Sequence, residues 1–366
     1  MHALKRFGTA FGGYKMMEDY PVPVCGPDDI ILEIKAAAIC GADMKHWNVD
    51  NGYDDTNITP DQQQSVRGHE FAGEIVQVGE NVKDWHVGQR VVSDNSAHVC
   101  GVCPACESGD FLCCEHKVNL GLDNNTWGGG FSKYCKVPGE ILAIHKHAIW
   151  EIPEGVKYEE AAVLDPICNA YKAVAQQSHL IPGQDVVVFG TGPLGLFSVQ
   201  IAKLMGAVNI VMVGLEEDVN VRFPVAMELG ATHCVNGSKE DVVARCTEIC
   251  GRDNLGLVIE CSGANIALKQ ALEMTRPNAE IVRVGMGFKP LEFSINDITA
   301  WNKSIIGHMA YDSTSWRNCI RLLQSGQIKV QPMITHRLGL SQWREGFDAM
   351  AKKEAIKVIF TYDYDD

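Results

Sequence analysis

The stretch from Asp185 to Gly195 constrains the fold of this chain more than any other segment. It opens with an apolar run, Val186 to Phe189, which is typical of a parallel strand buried on both faces. Glycines follow in the spacing G-x-G-x-x-G, and an apolar helical pattern then continues as far as Gly206. Because these glycines let the backbone turn tightly, a pyrophosphate can lie at the helix N-terminus. The stretch predicts a dinucleotide-binding turn; the alternative is a glycine-rich turn without a ligand. The predicted cofactor-binding residues of this turn are Gly190, Gly192, Pro193, Leu194 and Gly195.

The middle of the chain repeats this alternation of strand and helix. Five further short apolar segments are separated by helical patterns, which gives six strands in all. Six strands with intervening helices predict an α/β fold built on a doubly wound parallel sheet, the Rossmann fold. The five segments are Asn209 to Val213, His233 to Val235, Leu257 to Cys261, Ile281 to Gly285 and Ser304 to Met309.

Both ends of the chain have a different pattern. The first 150 or so residues read as short strands broken by Gly, Pro and Asp, which predicts a compact, barrel-like β domain with long loops. Beyond residue 310, a predicted helix from Ser315 to Leu323 is followed by Ile328 to Ile334 and an amphipathic end that is able to pack onto the first domain. The early predicted elements are strands at Ile30 to Ala38, Phe71 to Val78, Arg90 to Val92 and Phe131 to Val137, and a surface loop at Asn48 to Asp61.

Net charge and cysteine content narrow the class of protein further. The formal net charge is −14, so a nucleic acid or an anionic membrane would repel the chain. The opening residues form no apolar signal region and no apolar run reaches membrane length, so we expect a cytosolic protein. In such a protein, 14 cysteines indicate metal ligation and buried thiols and not disulfides.

Five of the cysteines form one cluster, at positions 100, 103, 106, 113 and 114. Four thiolates at such short spacings can surround a zinc ion tetrahedrally, and a closed shell of this kind is structural because it leaves no position for a substrate. The alternatives are a C-x-x-C redox pair and a zinc ribbon for nucleic acid, and the acidic charge disfavours the ribbon. Spacing alone does not choose between Cys113 and Cys114.

A second set of potential ligands is dispersed along the chain. A catalytic zinc needs about three protein ligands and one open position. Candidates are Cys40, His69, Glu70 and Asp165. Three of them also have an ordinary interpretation: Cys40 as a buried thiol, His69 as a loop histidine, and Asp165 as the cap of the helix that follows.

These motifs together resemble the zinc-dependent medium-chain alcohol dehydrogenases over essentially the whole chain. Cys40-Gly41, Gly68-His69-Glu70 with Gly73, the cysteine cluster and the glycine turn occur in the order of that family. The resemblance implies a zinc-binding, GroES-like catalytic domain of residues 1–155 and 306–366 around a Rossmann domain of residues 156–305. It makes Cys40 and His69 catalytic zinc ligands and Glu70 a ligand or near ligand. It also implies a structural zinc held by Cys100, Cys103, Cys106 and Cys114, with the family spacing selecting Cys114 over Cys113.

The segment from Leu164 to Ala170 is similar to the polyol and threonine dehydrogenase branch, which has an acidic residue where classical alcohol dehydrogenases have a third zinc cysteine. Asp165 would be that residue, and a carboxylate suits a polyhydroxylated substrate. The resemblance implies oxidation of a small polyol, with a tetritol such as erythritol or threitol favoured, by a homodimer or homotetramer. Threonine, phosphorylated polyols and a non-enzymatic binding protein are the alternatives. In the expected chemistry, zinc acts as a Lewis acid on the substrate hydroxyl and hydride passes to a nicotinamide.

One position departs from the family pattern. Ser or Thr usually stands two residues after the ligand cysteine and passes the substrate proton outward, whereas this chain has Ala42. We expect the proton to leave through water at the metal, assisted by Glu70, Lys45 or His46.

The coenzyme is predicted to be NAD and not NADP. The second predicted strand runs into an acidic segment containing Glu216 and Glu217, and these acids would repel a 2′-phosphate. Arg222 is the exception, because it is able to turn towards a phosphate. Later strand ends at Ser262, Gly285 and Gly287 resemble the family's cofactor-lining turns, and ordinary turns are the alternative there.

Overall fold

The computed structural model describes residues 1–6, 13–47, 65–123, 127–287 and 289–365. The predicted loop Asn48 to Asp61 lies outside these residues. The chain divides into two compact units. The first unit comprises Met1–Asp165, Asp312–Gln324 and Ile334–Asp366, and the second comprises Pro166–Tyr311 and Ser325–Met333.

The second unit is built on a six-stranded parallel sheet, which confirms the predicted fold class. Numbered from the first strand of the unit, its strand order is 3-2-1-4-5-6, the order of the dinucleotide-binding fold. Its strands are β10 (Asp185–Phe189), β11 (Ile210–Gly214), β12 (His233–Asn236), β13 (Leu255–Glu260), β14 (Glu280–Arg283) and β15 (Ser304–Gly307).

Helices of the second unit cover the sheet. The core between sheet and helices is aliphatic, with Val187, Val211, Val258, Leu268 and Ile281 all buried. The helices are α5 (Leu164–Tyr171, which begins in the first unit), α6 (Pro193–Leu204), α7 (Arg222–Leu229), α8 (Val242–Cys250), α9 (Asn265–Met274) and α10 (Asn296–Thr299), with a π-helical segment at Lys172–Gln177.

Local chemistry sets the boundaries of two elements in the second unit. Helix α8 begins at Val242, because the Asp241 carboxylate accepts a hydrogen bond from the Ala244 N–H at 3.0 Å and caps the helix. Strand β14 ends at Arg283, before Gly285, because the turn 284–287 leaves the sheet there.

The first unit is β-rich, as the sequence indicated. Its main sheet has seven strands in the path β16-β17-β3-β4-β5-β9, with β8 also paired to β3, and the pairs β1–β2 and β6–β7 form two small sheets. These strands are β1 (Ala3–Arg6), β2 (Tyr14–Met17), β3 (Ile30–Ala38), β4 (Glu70–Val78), β5 (Arg90–Ser93), β6 (Ser96–His98), β7 (Val118–Asn119), β8 (Tyr134–Val137), β9 (Ile149–Glu151), β16 (Ile334–Gly339) and β17 (Lys357–Thr361). The helices of this unit are α1 (Gly41–Trp47), α2 (Pro104–Glu107), α3 (Gly139–Ile144), α4 (Tyr158–Ala161), α11 (Ser313–Gln324) and α12 (Trp343–Ala351).

The C-terminal strand lies inside this sheet. Strand β17 pairs antiparallel with β3, with Phe360 opposite Ala37. An aromatic cluster fills the core beneath: the Trp47 and Phe347 ring centroids are 5.4 Å apart, and those of Phe131 and Phe360 are 5.5 Å apart. Burial of such large rings gives the C-terminal segment a strong hydrophobic attachment to β3. Among the described residues, no helix is both long and apolar enough to cross a membrane.

Candidate active site and metal centres

Four cysteines of the cluster converge in the first unit. The sulfur atoms of Cys100, Cys103, Cys106 and Cys114 all lie within 4.8 Å of one another. The Cys100 and Cys106 sulfurs are 3.9 Å apart, close to the edge of about 3.8 Å that a tetrahedron with zinc–sulfur bonds of 2.3 Å would have. Cys114 is buried, whereas its neighbour Cys113 is exposed and stands outside the group. The four thiols therefore fit a closed structural zinc site.

Local folding brings these cysteines together. Pro104 begins helix α2 directly after Cys103, which directs Cys106 back towards the core one turn later. Nearby backbone N–H groups, led by that of Val102, lower the pKa of Cys100 to about 6, whereas burial raises the pKa of Cys106 to about 12. One thiol is thus favoured as thiolate without a metal, and the buried thiol needs a cation to lose its proton.

A second group of ligand atoms forms at the paired ends of β3 and β4. Cys40 follows β3, while His69 and Glu70 lie at the start of β4, where Glu70 is opposite Ala38 in the antiparallel register. One ligand atom from each of Cys40, His69 and Glu70 lies within 4.8 Å of the others. His69 Nδ1 and Glu70 Oε1 are buried and have no hydrogen-bond partner in the described part of the chain. Buried polar atoms of this kind, next to a thiol, fit a metal ion.

Glu70 also forms an ion pair that the sequence analysis missed. Its Oε2 contacts the Lys357 ammonium, and both side chains are 1% exposed. Lys357 Nζ also donates to the Ile39 carbonyl at 3.1 Å. Burial raises the pKa of Glu70 to about 7, and the Lys357 charge opposes that rise. The signal in the sequence was a lone lysine at the start of an otherwise apolar strand.

Asp43 is a second buried group that the sequence analysis did not select. Its Oδ2 accepts a hydrogen bond from the Cys40 N–H at 3.0 Å, and its Oδ1 is 3.9 Å from His69 Nδ1. Burial raises the pKa of the Cys40 thiol well above its usual value, and the Glu70 carboxylate adds to that rise. A bound divalent cation would reverse this effect, because it stabilises the thiolate.

Asp165 borders this group but is not part of the close set found among the described residues. It lies in the first turn of α5, and its Oδ2 accepts a hydrogen bond from Asn95 Nδ2 at 3.1 Å. Its charge raises the pKa of both Glu70 and Cys40, so it lies near enough to act on them electrostatically.

The residues considered for proton transfer lie on α1. The Ala42 N–H faces the Cys40 sulfur at 3.5 Å. Burial lowers the pKa of Lys45, and the Cys40 charge partly opposes this effect. The side chain of His46 lies outside the described part of the structure.

The glycine turn has the geometry of a close backbone approach. Gly190 has φ +93°, a left-handed conformation that favours glycine. A Cβ on Gly195 would lie 1.8 Å from the Gly190 carbonyl oxygen, so only glycine lets α6 start this close to β10. Gly192 precedes α6, Pro193 is at its first position, and Leu194 follows. The turn therefore fits the phosphates of a dinucleotide.

A buried Glu–Arg pair supports the neighbouring turns. Glu260 Oε1 accepts hydrogen bonds from the N–H groups of Ser262 (2.7 Å) and Gly263 (2.9 Å). Its Oε2 lies 3.1 Å from Arg283 Nη1, and Arg283 Nη2 donates to the Gly263 carbonyl at 3.0 Å. A Cβ on Gly285 or Gly287 would lie 2.1 or 2.2 Å from Gly263 atoms, so these turns pack backbone to backbone. The sequence analysis selected Ser262, Gly285 and Gly287 but missed the pair that holds them.

The acidic segment after β11 is folded on itself. Asp218 is buried; its carboxylate accepts from the Leu215 N–H at 2.8 Å and pairs with Arg222 Nη1 at 3.2 Å. Glu216 pairs with Lys239 at 2.6 Å on the exposed surface. The following residue, Glu217, is also exposed.

Family comparisons agree with this geometry. Residues 26–147 match the alcohol dehydrogenase GroES-like domain, and residues 193–325 match the zinc-binding dehydrogenase domain. The uncharacterized zinc-type alcohol dehydrogenase-like protein YdjL of Escherichia coli strain K12 is 80% identical over 100% of both chains. Sorbitol dehydrogenase of Halalkalibacterium halodurans is 30% identical over 95% of this chain and 96% of its own. The crystal structure of 2R,3R-butanediol dehydrogenase from Bacillus subtilis has a TM-score of 0.85 at 28% identity and covers 99% of both chains.

These matches define a zinc-binding dehydrogenase with a GroES-like domain and a nicotinamide-type Rossmann domain. The chain belongs to the zinc-dependent medium-chain alcohol dehydrogenase family, in its polyol and threonine dehydrogenase branch. It is therefore an oxidoreductase of the alcohol and polyol type.

Proposed function

We propose that the chain oxidises a secondary hydroxyl of a small polyol to a ketose and passes hydride to NAD. The observation that carries this proposal is the convergence of Cys40, His69 and Glu70 ligand atoms within 4.8 Å in a chain that also has an intact dinucleotide turn. When bound, zinc supplies Lewis-acid polarisation of the hydroxyl and the nicotinamide accepts hydride.

The chain's own residues have separate roles in this proposal. Cys40, His69 and Asp165 would hold the metal, and Glu70 is a ligand or near ligand. Asp43 fixes the Cys40 backbone, and Lys357 balances the charge of Glu70. Because Ala42 has no hydroxyl, we assign assistance in removing the substrate proton to Glu70, Lys45 or His46. Full turnover of Glu70→Gln across neutral pH would exclude that role for Glu70.

The structural zinc is proposed to bind Cys100, Cys103, Cys106 and Cys114, which gives two zinc ions per chain. This site would stabilise the loop 100–114. The short helix α2 of this loop buries little apart from Cys106 and would not be stable alone.

NAD is the proposed coenzyme, through Gly190, Gly192, Pro193, Leu194, Gly195, Ser262, Gly285 and Gly287. Arg222 is engaged by buried Asp218, which draws it away from a 2′-phosphate, and Glu216 and Glu217 add negative charge. Lys239, which pairs with Glu216, is a feature that favours NADP. A Sinorhizobium meliloti neighbour of 26% identity was solved bound to NADP, so both coenzymes belong in the assay.

A neutral polyol is the proposed substrate, with a tetritol such as erythritol or threitol first. Asp43, Glu70 and Asp165 bring three carboxylates to the site, against the described ammoniums of Lys45 and Lys357, and this excess of negative side chains favours a neutral substrate over one with a second anionic group. Relatives named L-threonine 3-dehydrogenase and D-arabitol-phosphate dehydrogenase, at 32% and 31% identity, make threonine and polyol phosphates the alternatives.

The test is a coenzyme-reduction assay, read at about 340 nm in the absorbance band of reduced nicotinamide. The substrate panel contains tetritols, hexitols, threonine and polyol phosphates, each tested with NAD and with NADP. We expect turnover of a neutral polyol with NAD, and its loss in Cys40→Ser. Turnover of threonine alone or of a phosphate ester alone would overturn the substrate assignment. No turnover of any member by a zinc-loaded protein would favour a binding protein.

We also propose the domain boundaries, the oligomeric state and the cellular compartment. The catalytic domain comprises residues 1–155 and 306–366 and the Rossmann domain residues 156–305. Support for a homodimer or homotetramer comes from exposed apolar residues around the edge strand β15, with Ile295 67% and Trp301 54% exposed. None of the 14 cysteines forms a disulfide, which favours a reducing, cytoplasmic setting. The net charge of −14 disfavours a nucleic-acid or membrane partner.

A further inference from the structure

Asn95 is a buried residue that no motif selected. It follows β5 with φ 58°, a left-handed conformation that asparagine tolerates better than most residues, and its side chain is only 3% exposed. Its backbone is fixed on both sides: its N–H donates to Ser93 Oγ at 2.9 Å, and its carbonyl accepts from the Leu120 N–H at 2.7 Å. These two hydrogen bonds hold the Asn95 backbone, and so the point from which its side chain extends, in one position.

The amide of Asn95 connects two predicted metal ligands. Nδ2 donates to the His69 carbonyl at 3.3 Å and to Asp165 Oδ2 at 3.1 Å. Both partners are pure acceptors, so only the NH₂ end of the amide can face them, which fixes its orientation. A single side chain thus restrains the backbone of one ligand and the carboxylate plane of another.

The effect on a metal site follows from these two contacts. A carboxylate next to a cluster of buried acids turns away from the other negative charges unless a donor holds it. Hydrogen bonds to ligands fix their orientation, and their removal usually weakens metal binding by about 10- to 100-fold. Asn95 supplies such a bond to Asp165 from a strand end 70 residues away in the sequence.

We propose that Asn95 is a positioning residue of the catalytic metal site, which holds the Asp165 carboxylate and the His69 backbone in the geometry that the ion requires. This inference rests on the proposed zinc site at Cys40 and His69. It adds a residue whose amide touches ligands and not the metal, the substrate or the coenzyme.

The experiment is a cobalt titration of the full chain after its zinc has been removed with a chelator. Co²⁺ gives visible d–d bands and a thiolate charge-transfer band, so the four-thiolate site and the Cys40 site are distinguished without an activity assay. Asn95→Asp keeps the shape and the left-handed conformation but replaces the donor with an acceptor. We expect about 10- to 100-fold weaker Co²⁺ binding at the Cys40 site and a changed d–d band, with the four-thiolate site unaffected.

Two companion variants make the result decisive. Asn95→Gly keeps the backbone conformation and removes the amide, so it should weaken the same site even if Asn95→Asp fails to fold. Asn278→Asp is the matched control, because Asn278 has the same φ of 58° but lies in the second unit. Wild-type affinity and an unchanged d–d band in the folded Asn95 variants would overturn the positioning role. A wild-type chain that binds cobalt only at four thiolates would instead overturn the proposed catalytic site.

Discussion

The Glu70–Lys357 pair shows how this chain keeps charged residues in its interior. Neither side chain is exposed to water, so each depends on the other for stabilisation, and Lys357 also donates to the Ile39 carbonyl. A buried pair of this kind contributes little net stability relative to apolar residues, but removal of one partner leaves an uncompensated charge. Single substitutions at these residues therefore test how the buried charges are balanced.

Lys357→Met should lower the free energy of unfolding by about 3 kcal/mol, because Glu70 then remains buried without its counter-charge. Denaturant unfolding measures the loss. The control is Lys239→Met, which removes an exposed partner (65% exposed) of Glu216 and should change stability by less than about 0.5 kcal/mol. Adding Glu70→Gln to Lys357→Met should recover part of the loss; equal effects of the two lysine variants would contradict the burial argument.

His308 should make stability depend on pH. Burial and the nearby Lys172 charge lower its pKa from 6.5 to about 4, and its ring bonds Gln177 at 2.7 Å and Asn169 at 3.2 Å. Between these values the unfolded chain binds more protons, so this stabilisation is present above pH 6.5 and is lost as the pH falls towards 4.

The expected difference is at most about 3 kcal/mol, because one pKa unit corresponds to 1.36 kcal/mol. His308→Gln keeps a polar side chain that does not titrate, so its stability should fall less steeply than that of the wild type over this range. Parallel pH profiles from chemical denaturation of the two proteins would argue against a neutral His308.

At the scale of elements, loops and turns are held by groups that are local in the chain or supplied by a neighbouring strand. The cysteine loop has four thiols within fifteen residues, and the Glu260–Arg283 bridge between β13 and β14 supports the turns that we propose to bind the coenzyme. The cysteine loop and the turns are therefore tested by different substitutions.

Cys114→Ser should remove one zinc ion per chain and lower the melting temperature, because three thiolates cannot close the structural site. Cys113→Ser, the adjacent exposed thiol, should retain the metal content and stability of the wild type. Metal analysis with thermal unfolding measures both properties. Zinc loss in Cys113→Ser and retention in Cys114→Ser would reverse the assignment.

Arg283→Leu should weaken coenzyme binding by about tenfold, or 1.4 kcal/mol, because the Gly263 carbonyl and Glu260 lose a shared donor and the turns shift. Quenching of protein fluorescence by the reduced coenzyme measures the dissociation constant without catalysis. Arg283→Lys keeps the charge and should recover part of the affinity. If Arg283→Leu bound the coenzyme as tightly as the wild type, the bridge would have no role in positioning these turns.

At the scale of the molecule, β15 is the edge of the six-stranded sheet, and its flanking apolar residues remain uncovered in the single chain. Edge strands offer backbone hydrogen bonds to another copy, and charged side chains block such pairing. Ile306→Lys should therefore shift the protein towards a 40.1 kDa monomer in light scattering.

The control for this shift is Val208→Lys, which places the same charge on an apolar residue that is 58% exposed and lies just before β11, away from the edge strand β15. It should leave the assembly unchanged. A wild type that is already monomeric at micromolar concentration would exclude the proposed homodimer or homotetramer.

The sequence alone determined the features whose physics is local. The glycine turn from 190 to 195, the four thiols at short spacing and the alternation of strands and helices follow from backbone freedom, chain reach and hydrophobic period, which need only neighbouring residues. These features indicated the Rossmann sheet correctly, whereas the prediction that Cys40 and His69 share a metal came from the family resemblance and not from local spacing.

Only the tertiary structure decided which distant groups share an environment. Lys357 reaches the Ile39 carbonyl across 318 residues, Asn95 reaches Asp165 across 70, and Arg283 reaches Glu260 through the pairing of β14 with β13. The contacts of Lys357 and Arg283 depend on strand register, because a shift of one residue would turn the side chain to the other face of its sheet. Buried polar partners of this kind are invisible to spacing, because burial and pairing arise only when the whole chain has packed.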